Sequence, residues 1–75
     1  MKIGITTEFI KLDSAMKLSG AATMGSDAKH FIQSGEVTVN DEVELRRGRK
    51  LRPGDSFVFE GKEYEIVQGQ EDEDK

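Results

Sequence analysis

The sequence predicts an α+β domain in which two short helices pack on one side of a small antiparallel sheet. Three observations point there. Apolar residues recur at helical spacing between Leu12 and Ile32, the period changes to two after Gly35, and turn residues then separate four short alternating runs. With 75 residues there is room for one domain. Chains of this size bury only about 60% of the surface their unfolded form exposes, so nearly every apolar side chain is expected in the core and few remain for a ligand pocket.

Residues 1 to 11 carry Ile3, Ile5, Phe9 and Ile10, with Thr6 and Thr7 favouring an extended chain, and are expected to form a first edge strand. Asp13 and Ser14 are good N-cap types for a first helix whose apolar stripe is Leu12, Ala15, Met16 and Leu18 and whose stop is Gly20. After the short link 21–25, Ser26 is expected to cap a second helix, with Asp27 in the first turn where the helix dipole favours negative charge. Ala28, Phe31 and Ile32 share its apolar face, Gly35 ends it, and Lys29, His30 and Gln33 lie on other faces.

Val37 and Val39, then Val43 and Leu45, read as a hairpin around Asn40-Asp41, two residues that tolerate positive φ, although Asn-Gly would suit a tight turn better. Arg52-Pro53-Gly54-Asp55 fits a type II turn. Phe57 and Phe59 resume the alternation, Gly61-Lys62 turns the chain, and Tyr64 and Ile66 complete a last strand. The folded domain is expected to be 1–67, with 68–75 a disordered acidic tail.

The net charge of −4 argues against an anion binder until the acids are located. Residues 71–75 hold four acids and one lysine, and the remaining chain has ten basic against eleven acidic residues. A phosphate responds to the charges within a Debye length of about 8 Å, so clustered cations can bind an anionic surface on a nearly neutral body. Cysteine is absent, which removes disulfides, thiolate metal sites and thiol nucleophiles. No segment approaches the roughly 20 apolar residues of a membrane span, and a cytoplasmic protein is expected.

The strongest chemical signal is Arg46-Arg47-Gly48-Arg49-Lys50-Leu51-Arg52, five cations in seven residues. Arginine can grip a phosphate through two parallel hydrogen bonds, and Gly48 lets the backbone bend so that the side chains spread. The bland alternative is a solvated loop whose charges pair with Asp41, Glu42 and Glu44. The start of the second helix offers another anion site, with the Ser26 hydroxyl and with Lys29 one turn on offsetting Asp27; an ordinary N-cap is the alternative. Lys11 and Lys17 flank the first helix and either extend a cationic face or solubilise it. His30 has no partner at metal-ligand spacing, and Tyr64 and the phenylalanines alternate as core residues do. No nucleophile with its base, carboxylate pair or phosphate loop ending in Gly-Lys-Ser/Thr is present, so neither an enzyme nor a cofactor or metal site is expected, and the remaining acids read as surface charge.

Three segments in fixed order resemble the ribosomal protein S4-like RNA-binding domain family: Phe9-Ile10-Lys11-Leu12-Asp13, Gly25-Ser26-Asp27-Ala28-Lys29-His30-Phe31-Ile32 and Gly35-Glu36-Val37-Thr38-Val39-Asn40. The continuation from Arg46 to Asp55 resembles the small stand-alone bacterial members of the YaaA type, and the resemblance covers residues 8 to 67. It implies an αL-type S4-like fold that binds structured RNA, commonly ribosomal or transfer RNA, on a face made by the two helices and the basic loop. The expected protein is a non-catalytic monomer acting in ribosome assembly or translation, on RNA or on an assembling ribosomal particle. Carried over by position and joined to the charge reading, the expected RNA-binding residues are Lys11, Ser26, Lys29, Arg46, Arg47, Arg49, Lys50 and Arg52. Asp27 stands where many family members have a basic residue, and Asp41 where many have glycine. The rival from another class is a protein-interaction module whose basic loop docks on an acidic partner.

Overall fold

In the computed structural model, which describes residues 1–69, the chain runs β1 (Lys2–Ile5), β2 (Ile10–Lys11), α1 (Leu12–Ser19), α2 (Gly25–Gln33), β3 (Val37–Val39), β4 (Glu42–Val43), β5 (Lys50–Leu51), β6 (Ser56–Phe59) and β7 (Lys62–Gln68). Five strands form one sheet in the order β1-β7-β6-β3-β4, and β2 pairs with β5 in a separate two-stranded ribbon. The two helices with this sheet make the expected small α+β fold. The sheet is mixed rather than wholly antiparallel, because β1 runs parallel to β7 with Ile3 beside Ile66. Parallel neighbours need a long crossover, and both helices and the β3–β6 strands intervene between these two.

The expected first strand, 1 to 11, is two strands. β1 does lie at a sheet edge, but the chain bends at Thr6–Glu8, and Ile10 and Lys11 pair with Leu51 and Lys50. One core joins Ile3 and Ile5 of β1, Leu12, Ala15 and Met16 of α1, Ala28 and Ile32 of α2, and the inward residues of the sheet, with Leu51 closing the ribbon side. Phe57 stacks on Tyr64 with ring centroids 4.8 Å apart, and Phe31 meets Phe59 at 4.8 Å. Full burial of side chains of this kind stabilises by about 1.5–3 kcal/mol each.

Neither helix takes the cap expected of it. α1 begins with Lys11 at the N-cap and no side-chain cap bond, while Asp13 lies inside the first turn and accepts from the Ser14 amide at 2.7 Å. The Leu12 and Asp13 amides donate instead to the carbonyls of Arg49 and Arg47, at 2.8 and 3.1 Å, so a distant loop replaces the local cap. Leu18 is exposed, because it falls well off the stripe that Leu12, Ala15 and Met16 make. α2 starts one residue before Ser26, which is an exposed helical residue; Met24 is the N-cap, and the Thr23 hydroxyl donates to the Asp27 carboxylate at 3.1 Å across the entry. The expected stops hold. Gly20 and Gly35 have φ of 85° and 81°, and around Gly35 the amides of residues 35 and 36 donate to Ile32 and Phe31.

The hairpin turns at Asn40 and Asp41, with φ of 51° and 72°, values that fit a type I′ turn. Its two-residue loop sets Thr38 opposite Val43 and Val39 opposite Glu42. Val43 and Leu45, expected on the core face, are therefore 59% and 55% exposed, and Glu44 is turned inward at 8%. The second hairpin turns at Glu60-Gly61, one residue before the expected pair, and Lys62 opens β7 opposite Phe59. β7 continues through Gln68, which pairs with Ile5, one residue past the expected domain end at Val67. The rest of the expected tail, 70–75, lies outside the described residues.

Asp41→Gly removes the left-handed strain of a side chain at φ 72° and is expected to stabilise the protein by about 0.5–1 kcal/mol, read as a higher midpoint in urea unfolding at unchanged slope.

Candidate nucleic-acid interface

The segment between β4 and β5 carries three of the eight expected binding residues, Arg46, Arg47 and Arg49, and Glu44 anchors it. The Glu44 amide donates to the Val37 carbonyl of β3 at 3.1 Å, which ties this residue to the sheet. Its Oε2 accepts from the Arg46 Nε and backbone amide at 2.9 and 3.0 Å, and its Oε1 accepts from Arg46 Nη2 at 3.2 Å and Arg49 Nη1 at 2.7 Å. One buried carboxylate thus holds two guanidiniums. These hydrogen bonds, those from Arg46 first, hold the Glu44 carboxyl well below its usual range, at about 2, against a desolvation that pushes it upward, and Glu44 in turn raises the Arg46 pKa.

The second half of the loop is held by backbone. The Arg49 amide closes a turn on the Arg46 carbonyl at 3.2 Å, while the carbonyls of Arg47 and Arg49 take the first amides of α1. With its carbonyls engaged by the helix, the turn leaves Arg47 and Gly48 exposed. The Arg46 and Arg49 side chains remain 74% and 33% accessible. Arg46, Gly48, Arg49 and Lys50 line a shallow surface depression.

Lys11 and Lys50 face each other across the β2–β5 ribbon. Like charges opposite one another on neighbouring strands are destabilising, and neither ammonium has an ion-pair partner among the described residues. The Lys50 Nζ instead lies 4.9 Å from the centroid of the half-buried Phe9 ring, a cation–π contact that leaves its charge unneutralised. Lys11, Arg46, Arg49 and Lys50 are therefore brought together through three structural ties: the ribbon, Glu44 and the loop–helix cap. Arg47 sits at the exposed turn. Arg52 follows β5 into the turn closed by the Asp55 amide on its carbonyl, with its own amide bonded to the Asp55 carboxylate at 2.8 Å.

Ser26 and Lys29 lie on a different element, α2. Both are exposed on α2, which packs on α1, and among the described residues no hydrogen bond or ion pair joins either to the loop. Two residues do more than the sequence suggests. Glu44, one of three acids expected as alternative partners of the loop charges, does pair with Arg46 and Arg49, but from a buried position, because a two-residue turn at Asn40-Asp41 sets it opposite Val37, on the core face. Phe9 was grouped with the core aromatics, and nothing in its spacing marks it as a lysine platform. No helix among the described residues is long and apolar enough to cross a membrane, and no group of three or more His, Cys, Asp or Glu residues among them could hold a metal ion.

Residues 3–67 match the family described as S4 domain. The chain is 48% identical over 59 residues to the Bacillus subtilis (strain 168) protein named "Probable ribosome maturation protein RlbA", a match that spans 79% of this chain and 83% of that one. It is 33% identical over 58 residues to the Escherichia coli (strain K12) protein named "Putative RNA-binding protein YbcJ", spanning 77% of this chain and 83% of that one.

A carboxyl held at about 2 contributes stability that is fully present above the unfolded carboxylate range, near 4.5, and is lost as pH falls toward 2. The stability difference between wild type and Glu44→Gln is expected to be constant from pH 7 to 5 and to shrink steadily below that, followed by urea unfolding at each pH.

Proposed function

The chain belongs to the S4 domain family, and on that premise we propose that it is a non-catalytic binder of structured RNA, acting on ribosomal RNA during maturation of the ribosome. The observation that carries this reading is the opposition of Lys11 and Lys50 beside the two arginines held by Glu44. Such an array is unfavourable in isolation and is relieved by an anion laid across it. Two chain segments paired across the ribbon, β2 and the stretch 46–50, supply its cations, which favours an extended polyanion over a single small ion. The names of the relatives, one a ribosome maturation protein and one an RNA-binding protein, support RNA as that polyanion.

The cations would contact phosphates and 2′-hydroxyls of an A-form surface, so shape would outweigh sequence in recognition. The described phenylalanines other than Phe9, together with Tyr64, belong to the core or pack against it, which argues against a stacking platform for unpaired bases. Lys11, Arg46, Arg47, Arg49 and Lys50 form the principal contact set, with Arg52 at its margin. Ser26 and Lys29 add a weaker contact, because Asp27 sits between them and would repel a phosphate.

Neutralising about five phosphates gives a slope of log K against log salt of roughly −3.5 to −4.5. Titration of magnesium-folded ribosomal RNA is expected to show that slope, reduced by somewhat less than one in Arg47→Ala and hardly changed in Lys29→Ala. A flat salt response would refute the reading. Crosslinking in cells should enrich ribosomal RNA, and recovery of no RNA above background would point instead to an acidic protein partner.

A further inference from the structure

We infer that Glu44, an acid within a basic loop, is a positioning residue for RNA binding: it holds the Arg46 and Arg49 guanidiniums side by side so that one phosphate of the backbone meets both. The inference rests on the RNA-binding reading and adds a role for a negative charge, which by charge alone would oppose that binding.

The geometry of the donors carries it. Arg46 spends its Nε–H and one Nη2–H on Glu44, which leaves the fork between Nη1 and Nη2 free for a second acceptor. Arg49 gives Glu44 only an Nη1 hydrogen, so its Nε and Nη2 remain unspent. Among the described residues Glu44 accepts four hydrogen bonds, all from Arg46 and Arg49, and its own amide is fixed to β3. The carboxylate is saturated by the loop and immobilised by the sheet. It can therefore fix two long side chains before RNA arrives, and both arginines line one depression with Gly48 and Lys50, where a single phosphate would reach them.

Two effects oppose each other when Glu44 is removed. Ordering two arginines in advance favours binding by roughly tenfold or more, because that entropy is otherwise lost on association. Screened repulsion between Glu44 and a phosphate some 6 Å away in water weakens it by about twofold. Positioning wins, and the net expectation is a loss of about fivefold in Glu44→Gln although the variant's net charge is one unit more positive.

The test is a double-mutant cycle of Glu44→Gln and Arg46→Ala, measured by affinity for magnesium-folded bacterial ribosomal RNA at moderate salt. Amide NMR spectra check that each variant is folded. Glu44→Gln should bind about fivefold more weakly, and Arg46→Ala should cost clearly less in the Glu44→Gln background than in wild type. The Arg46 Nε–H should also give a separate, slowly exchanging NMR signal in free wild type that disappears in Glu44→Gln. Equal or tighter binding by Glu44→Gln, additive effects in the cycle, or no such Nε–H signal in wild type would each overturn the inference while wild-type RNA binding stands. Absence of salt-dependent binding by wild type would remove the RNA reading and this inference together.

Discussion

A loop that gathers five cations into seven residues has to be held without neutralising the charge it presents, and the way this chain meets that constraint organises the rest of the molecule. Neutral backbone carries part of the task, since the carbonyls of Arg47 and Arg49 take the first amides of α1. Those amides needed acceptors in any case. A single carboxylate carries the remainder, and by taking two arginines it cancels only one of their two charges. The helix start and the loop thus stabilise each other, which accounts for an N-terminus of α1 without a side-chain cap of its own.

How much of this could be read from the residues depends on how local the cause is. Gly20 and Gly35 end their helices where a positive φ is required, and that demand is visible in one residue. The core strands follow from alternation alone, as Phe57 against Tyr64 shows. The helix starts were misread because Asp13, Ser14 and Ser26 are good caps only when nothing better is near, and the acceptors for α1 come from more than thirty residues away. The parallel placement of β1 is a fact of topology that no short pattern encodes.

The β3–β4 hairpin is a different kind of miss, because its outcome was present in the spacing. A two-residue turn at positions 40 and 41 pairs 39 with 42, and so 38 with 43, which puts Val43 out of phase with Val37 and Val39. Reading every valine as inward hid the inward glutamate beside it. Among the expected binding residues, the contiguous basic stretch and Lys11 come together in the fold, since β2 pairs with β5. Among the described residues no hydrogen bond or ion pair joins Ser26 or Lys29 to them, and helical spacing within α2 does not encode where that helix packs.

The same arrangement reconciles an acidic chain with an anionic target. Glu63 and Glu65 are exposed on β7, and in the order β1-β7-β6-β3-β4 three strand spacings separate β7 from β4. Neighbouring strands lie about 4.8 Å apart, so these acids stand roughly 14 Å from the strand that leads into Glu44 and its arginines. That exceeds the physiological Debye length of about 8 Å. A phosphate at the loop is therefore largely screened from Glu63 and Glu65, and the exposed acids nearest it in the chain are Asp41 and Glu42 of the hairpin before Glu44. Net charge sums over the whole chain, whereas an anion at the loop responds to the charges within a Debye length of it, where five cations stand in seven residues.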